Sequence, residues 1–489
     1  MITVTATIRN YCISSSLALA CAFPFGAEAK TLYVNGGTGN DSITYAANSE
    51  STPWRSIGRA SWGSTNRSAP NSAEAARAGD IVMIAAGTYS TAGTDSRNDP
   101  AYNPANSGTA GNPIIFQAQG TVLLTLSSSR GTVIGALTRD YITWRGFTIN
   151  EASARSHADT GPVTFFESTG SSAESLTING NGDPGYGDNH TGIRIEGSAA
   201  ITVRNSRIYN VYTSGVNQAN GAGIQIYESK GVLIEHNEIY ESGSGIFFKQ
   251  IGITGPPSNS ADTVRYNLIH DVAHGIIQHR HTHSAPTVYC AVYQNVIRDA
   301  RLGGITVWGF TSDGPTNGRF INNTIYNSVY GIYLKGGYVA NNSNHLFQNN
   351  LVTASTSYAV FNEPTGGDVA FELDRATFAR DWYWSFPTFL ASDSGSRSLA
   401  QFQSTFAGQE ANGTSGINPN YVNAAGNDFR LSTGSPALTM GRVAHSIGGS
   451  NGATIPVGAY ITGDEIIGIA SGSSDVTPPG TVQNVRVLP

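Results

Sequence analysis

Lys249, His279, Arg280, His281 and His283 gather an amine, three imidazoles and a guanidinium into one short part of the chain. Such a set can take a proton, hold a carboxylate and give a proton back. These are the needs of β-elimination in a uronate polymer: a base for the proton α to the carboxylate, a cation that neutralises that carboxylate and stabilises the enolate, and an acid for the departing oxygen. Crowded cations also discourage one another's protonation, which favours a neutral amine or imidazole as the base. Whether these groups meet depends on the elements that carry them.

Those elements repeat. Gly192-Ile193, Gly223-Ile224, Gly245-Ile246, Gly275-Ile276, Gly304-Ile305 and Gly331-Ile332 each open a short apolar strand, at steps of 31, 22, 30, 29 and 27 residues by subtraction. A second column places an asparagine two residues before an aliphatic, at Asn237, Asn267, Asn295, Asn323 and Asn350, with steps of 30, 28, 28 and 27. Two columns advancing together, with turn residues between and no helix-length apolar stripe, predict a right-handed parallel β-helix, all-β, one rung per repeat. No rung can bury its apolar face alone, so Ile must stack on Ile up a continuous interior. The asparagines fall at a turn where each amide can bond its copy one rung away, and the glycines mark a bend that a Cβ would obstruct.

Period-2 alternation puts Ile193 and Ile195 and their equivalents inside. The outward column then reads Phe166, Glu196, Tyr227, Lys249, His279, Trp308, Lys335 and Glu363, beside a second one of Thr164, Arg194, Gln225, Phe247, Ile277, Thr306, Tyr333 and Phe361. Aromatics interleave with charges here, where a merely solvated face would be Ser, Thr, Asn and Lys. The middle rungs carry their extra residues just after this strand, at 250–261, 280–286 and 309–317, which would wall a groove suited to an extended polymer. In it Lys249, His279 and Arg280 are the candidate catalytic residues, and Glu196, Tyr227, Phe247, His281, Trp308 and Lys335 the candidate substrate contacts.

Each has a plainer reading. A lysine on an exposed strand is most often a solubility device, Trp308 and Tyr227 could cap the sheet, and His279, His281 and His283 could share a metal. A glycoside hydrolase on the same groove would need two carboxylates across the bond, for which Glu196, Glu228 and Asp262 come into question, with Glu196 and Asp262 the first targets; Asp271 shares a turn column with Glu241 and Asp299 and reads as structural. A non-catalytic glycan-binding or adhesin solenoid needs only the aromatics.

The segment Gly275-Ile276-Ile277-Gln278-His279-Arg280-His281, with Lys249 one rung earlier, resembles the Gly-x-Leu-x-Leu-Arg-His segment of the alginate lyase and chondroitinase B family of polysaccharide lyases. That resemblance implies a lysine base and an arginine acid, here Lys249 and Arg280. The family also places a pair of calcium-binding glutamates shortly before its lysine, whereas Glu241 is the only acid between Tyr240 and Lys249. Calcium is thus left open and no metal ligand is assigned. The clustered aspartates of polygalacturonases and the Asp-Pro-His-Asp signature of mannuronan epimerases are absent.

A solenoid grows by adding rungs, so 489 residues fit one long domain. The 57 glycines and 13% charged residues suit many tight turns, and a net charge of −6 without a Lys/Arg run excludes a nucleic-acid partner. Arg9, the apolar run 17–25 and Ala27-Glu28-Ala29 form a secretory signal pattern, predicting a secreted, monomeric chain from Lys30 with no membrane span. Cys12 and Cys21 would leave with it, so Cys290 would stand alone. The expected divisions are a signal peptide (1–29), an N-terminal cap and first rungs (30–112), the β-helix core (113–375), a C-terminal capping segment (376–469) and a flexible tail (470–489). Helical patterns over 54–60 and 72–78 would close the open first rung, and Trp382-Tyr383-Trp384 would pack over the last.

Overall fold

The structure is a computed structural model that describes residues 29–92, 98–127, 132–151, 161–182, 189–213, 215–251, 262–282, 290–309, 317–335, 344–363, 376–392, 395–442 and 454–469, without the side chains of 181, 250, 251 and 280–282. The expected tail, and the expected signal except Ala29, lie outside these residues. Each coil contributes one strand to each of three parallel sheets. In the first sheet Thr191–Glu196 pairs with Ala222–Tyr227, and the order continues through Glu238–Ile251, Leu268–Thr282, Gly303–Gly309, Tyr330–Lys335, Tyr358–Asn362 and Thr388–Ser392.

The alternation predicted for these strands holds. Ile193, Ile195, Ile224, Ile226, Ile246, Phe248, Ile276, Ile305, Val307, Ile332 and Leu334 are all fully buried in one core. Each fully buried side chain of this size contributes about 1.5–3 kcal/mol relative to leaving it exposed. The glycine column is explained by space rather than by backbone conformation, since none of the six lies at positive φ. A Cβ on Gly275 would stand 2.3 Å from the Gly304 carbonyl oxygen and 2.5 Å from Ile297, and Gly245 and Gly304 meet the same pair of obstacles, the next coil's glycine carbonyl and the isoleucine of the asparagine column. The two sequence columns therefore pack against each other.

The asparagines turn the chain between the second sheet, which includes Thr202–Arg204, Leu233–Glu235 and Asp262–Arg265, and the third, which includes Arg207–Val211, Val296–Arg298 and Thr324–Tyr326. Asn267 donates from its main-chain N and from Nδ2 to Asn295 Oδ1, at 3.1 and 3.0 Å, and from Nδ2 to the Ile234 carbonyl at 3.0 Å. Asn237, Asn295 and Asn323 repeat the pattern, and the residue before each, from His236 to Asn349, sits at positive φ. Glu241, Asp271 and Asp299 occupy a second positive-φ column at φ 48°, 54° and 55°, the structural role expected of them. On the outer face of the second sheet charges alternate along one column: Arg145 and Arg204 flank Glu174, and Arg265 meets Glu235.

At the N-terminal end the helix Ile57–Trp62 starts on the Ser56 side chain, stops at Gly63 in the left-handed conformation, and buries Ile57 and Ala60. Residues 72–78 form turns and bends, not the expected second helix; their hydrogen bonds go to neighbouring segments instead, Ala76 N to the Ala60 carbonyl and Glu74 to Arg59 and the Tyr45 amide. At the other end the winding runs on past residue 375. Ala376–Ala379, Trp382–Trp384 and Thr388–Ser392 add a further coil in register with His345–Gln348, Leu351–Thr353 and Tyr358–Asn362. The helix Leu399–Thr405, with a Ser398/Gln401 capping box, then closes it through Phe402 against Phe378 and Phe389.

The later segment does not lie on that end. It returns along the side: Gly458 N donates to the Asn349 carbonyl, Asn322 Nδ2 to the Pro456 and Gly458 carbonyls, Gln294 Nε2 to the Ala459 carbonyl, and Gly468 N to the Tyr266 carbonyl. Phe429 and Ala459 bury Val296 and half-buried Leu268 beneath it. No helix among the described residues is long and apolar enough to cross a membrane.

Candidate functional site

Parallel register brings the outward column of the first sheet together as the alternation requires. Lys249 pairs directly with His279, His279 with Trp308, and Trp308 with Lys335, one coil apart each. The His279 ring lies edge-on to Trp308 at 5.1 Å and to Phe247 at 5.7 Å, and Lys335 Nζ stands 4.1 Å from the centre of a Trp308 ring. Lys249 is 8% and His279 3% exposed, so these groups sit below the surface rather than waving in solvent. Phe247, at 1% exposed, lies lower still: with Ile277 it packs under Ala219 and Ala222, and Trp308 covers the same cluster.

Two asparagines hold the lysine. Lys249 Nζ donates to Asn189 Oδ1 at 2.6 Å and to Asn220 Oδ1 at 3.0 Å, with the Tyr227 and Phe247 rings each 5.6 Å away. Asn189 and Asn220 went unnoticed in the sequence, although each stands two residues before a first-sheet strand whose first residues, Thr191 and Ala222, are register partners. That shared offset was the available signal.

Toward the N-terminal coils the column becomes ionic. Arg194 Nε donates to Glu196 Oε2 at 2.8 Å while its guanidinium lies 4.2 Å from the Tyr227 ring centre, and both Arg194 and Tyr227 are buried. Burial and the neighbouring Glu196 push the Glu228 carboxyl up. Asp262 is elsewhere. It lies wholly inside the coil, accepting from Val232 N at 2.9 Å, and burial pushes it up to about 7; it does not join Glu196 on the outer face. His274, buried at the entrance to the same sheet, has Nδ1 on Thr306 Oγ1 at 2.9 Å, and burial, with Lys335 and Arg301 near, lowers it to about 3.

The backbone pairs Arg280 with Gln250 and Gly309, but the side chains of Arg280 and His281 lie outside the described residues, as does His283. Among the described residues no group of three or more His, Cys, Asp or Glu could hold a metal ion.

The family description "right handed beta helix region" fits residues 186–316. Among solved structures the chain is similar to the pectate lyase Pel9A, at 17% identity over 88% of this chain and 96% of that one, with a TM-score of 0.51. The fold is a right-handed parallel β-helix. This β-helix is also similar to a rhamnogalacturonan lyase (15% identity, 81% of this chain and 91% of that one, TM-score 0.47) and to XylC in complex with xylose (12%, 80% and 87%, 0.45). At such identities the likeness is one of fold. No curated protein sequence matches the chain.

Proposed function

We propose that the outward column of the first sheet binds a uronate-containing polysaccharide and cleaves it by β-elimination, in a chain exported from the cell. The observation that carries this reading is the register of Lys249, His279, Trp308 and Lys335 on four successive coils. Lys249, its ammonium held by two amide oxygens, neutralises the uronate carboxylate. His279 takes the proton α to that carboxylate; the electron pair forms the new C=C bond and expels the glycosidic oxygen, which is protonated by Arg280 or water. Trp308 and Lys335 give a sugar ring an apolar face and a cation. Glu196 and Tyr227 line the adjacent coils and Phe247 supports the floor from beneath; His281 is a further proposed substrate contact. A pectate lyase is among the proteins this chain resembles in fold, which puts pectate beside alginate and glycosaminoglycans in the substrate panel.

The test is ultraviolet absorbance at the unsaturated-uronate band with that panel, for the wild type and for His279→Ala and Lys249→Ala. A rise that either substitution abolishes supports the lyase; no rise with any polymer, while polymer still binds, sinks it and leaves a glycan-binding solenoid.

One observation favours a second reading, glycoside hydrolysis. Glu196 is tied to Arg194 while burial pushes the nearby Glu228 up, and a raised carboxyl beside a second carboxyl is a candidate general acid for hydrolysis. New reducing ends without absorbance, lost in Glu228→Gln, would select it.

A further inference from the structure

We infer that Glu151 and His190 form a buried positioning pair that sets the Lys249 ammonium by fixing both asparagines that hold it, an inference that rests on the role of Lys249 proposed above. Glu151 follows the strand Ile142–Asn150, and His190 stands between Asn189 and the strand Thr191–Glu196. The two residues are 5% and 4% exposed. His190 Nε2 is 2.8 Å from Glu151 Oε2, and His190 Nδ1 is 2.6 Å from the Tyr212 carbonyl oxygen.

Two acceptors thus face one imidazole ring. A neutral imidazole has a single N–H and can satisfy only one of them. Nδ1 must donate to the Tyr212 carbonyl, so a second proton lies between Nε2 and Oε2, on the ring or on the carboxyl. A buried polar group left without its partner costs about 1–3 kcal/mol, which makes this placement of segment 189–190 specific.

The same ring reaches the other asparagine. A Cβ on Gly221 would stand 2.8 Å from Tyr212 Cα and from its carbonyl carbon, so segment 212–213 lies directly against Gly221, the neighbour of Asn220. The His190 carbonyl also accepts from Ala222 N at 3.0 Å. Asn189 is therefore fixed through its own neighbour and Asn220 through Tyr212 and Ala222. Their oxygens accept from Lys249 Nζ, so the ammonium is set by geometry rather than free to rotate.

The test compares Glu151→Leu with Glu151→Gln in the full chain. A glutamine amide can donate to Nε2 of a neutral ring, so Glu151→Gln keeps both hydrogen bonds; leucine removes one. Two readouts are taken: the rate at which an amine-acylating reagent labels Lys249, read by peptide mass spectrometry, and kcat and KM in the lyase assay. Glu151→Leu is expected to label Lys249 faster by roughly 10-fold, as for a side chain released from a closed state, and to lose kcat by roughly 100-fold with a smaller change in KM, as for a displaced catalytic group. Glu151→Gln should match the wild type in both. Unchanged labelling in a folded Glu151→Leu, or equal loss in both variants, overturns the inference. If Glu151→Leu shows no unfolding transition, His190→Gln, which keeps a donor for the Tyr212 carbonyl alone, takes its place with the same expected outcome. A wild type inactive on every polymer refutes the lyase reading, and the labelling comparison then decides the inference by itself.

Discussion

Asn350 donates from both its main-chain N and its Nδ2 to a single oxygen of Asp381, at 2.6 and 2.9 Å, so the column of asparagines ends on an acid. A second acid backs it: Glu410 Oε2 accepts from Asp381 N at 3.3 Å, and Glu410 Oε1 accepts from the Tyr383 hydroxyl at 2.5 Å. Both carboxyls are buried.

Burial and the neighbouring Glu410 push Asp381 well up, and burial pushes Glu410 up to about 7. The folded state therefore binds more protons than the unfolded chain between the ordinary carboxylate range, about 4, and about 7. The stability this gives is complete below that window and is lost as pH rises through it. His274, lowered to about 3 by burial, acts oppositely below its ordinary value, so the comparison must isolate the acid. The stability of the wild type relative to Glu410→Gln is expected to fall as pH rises through the window, in chemical unfolding at successive pH values. A difference that grows with pH would contradict the shared burial of this pair.

Asn295→Ala should be severely destabilising. The side chain is fully buried, its oxygen takes Asn267 N and Nδ2, and its Nδ2 serves the Val264 and Tyr293 carbonyls and Asn323 Oδ1. Each orphaned group costs about 1–3 kcal/mol. Urea unfolding should show a lowered midpoint at unchanged slope, and Asn295→Asp, which loses the donors, should not restore it.

Gly275→Ala tests the packing of the two columns. Its Cβ would fall at 2.3 Å from backbone, and overpacking of this kind costs about 1–3 kcal/mol. Gly37→Ala, whose Cβ would meet only the Asn35 Oδ1 at 3.4 Å, should leave the thermal midpoint nearly unchanged. Equal effects at both sites would remove the close approach as the reason for the column.

Trp308→Ala should weaken polymer binding more than Lys335→Ala, because it removes the apolar face as well as the partner of the Lys335 ammonium, a contact of about 0.5–2 kcal/mol. Calorimetric titration with a polymer that is bound but not cleaved, using the His279→Ala background, measures both. Lys335→Ala being the weaker binder would reverse the assignment.

What the sequence disclosed was whatever recurs at the rung period. Ile193 to Leu334, the six glycines and the Asn237–Asn350 ladder obey one local rule in every coil, so their stacking and the pairing of Lys249 with His279 could be read by subtraction. Contacts made by irregular insertions were marked at most by an offset from the strand that follows. Asn189 and Asn220 reach Lys249 from segments whose lengths differ between coils, and Glu151 meets His190 across 39 residues. Trp382-Tyr383-Trp384 read as a cap because aromatic side chains suit one, yet Tyr383 fills the interior and Trp382 is covered from outside by Ala437 and Val457. Residues 72–78 carried a helical pattern, but their hydrogen bonds go to neighbouring segments instead.

The returning segment has a temporal consequence. Residues 456–468 bond coils from Asn349 back to Tyr266, and the Ile466 carbonyl reaches His236, so the part of the chain made after those coils is the one that fastens them. A stack of neighbours that touch only neighbours can fray turn by turn from either end. Here, coils made as much as 113 residues apart, from His236 to Asn349, are sewn into one seam, and a nascent chain shorter than this seam would carry its rungs wound but unlatched, open to proteases on one side until the last stitch arrived.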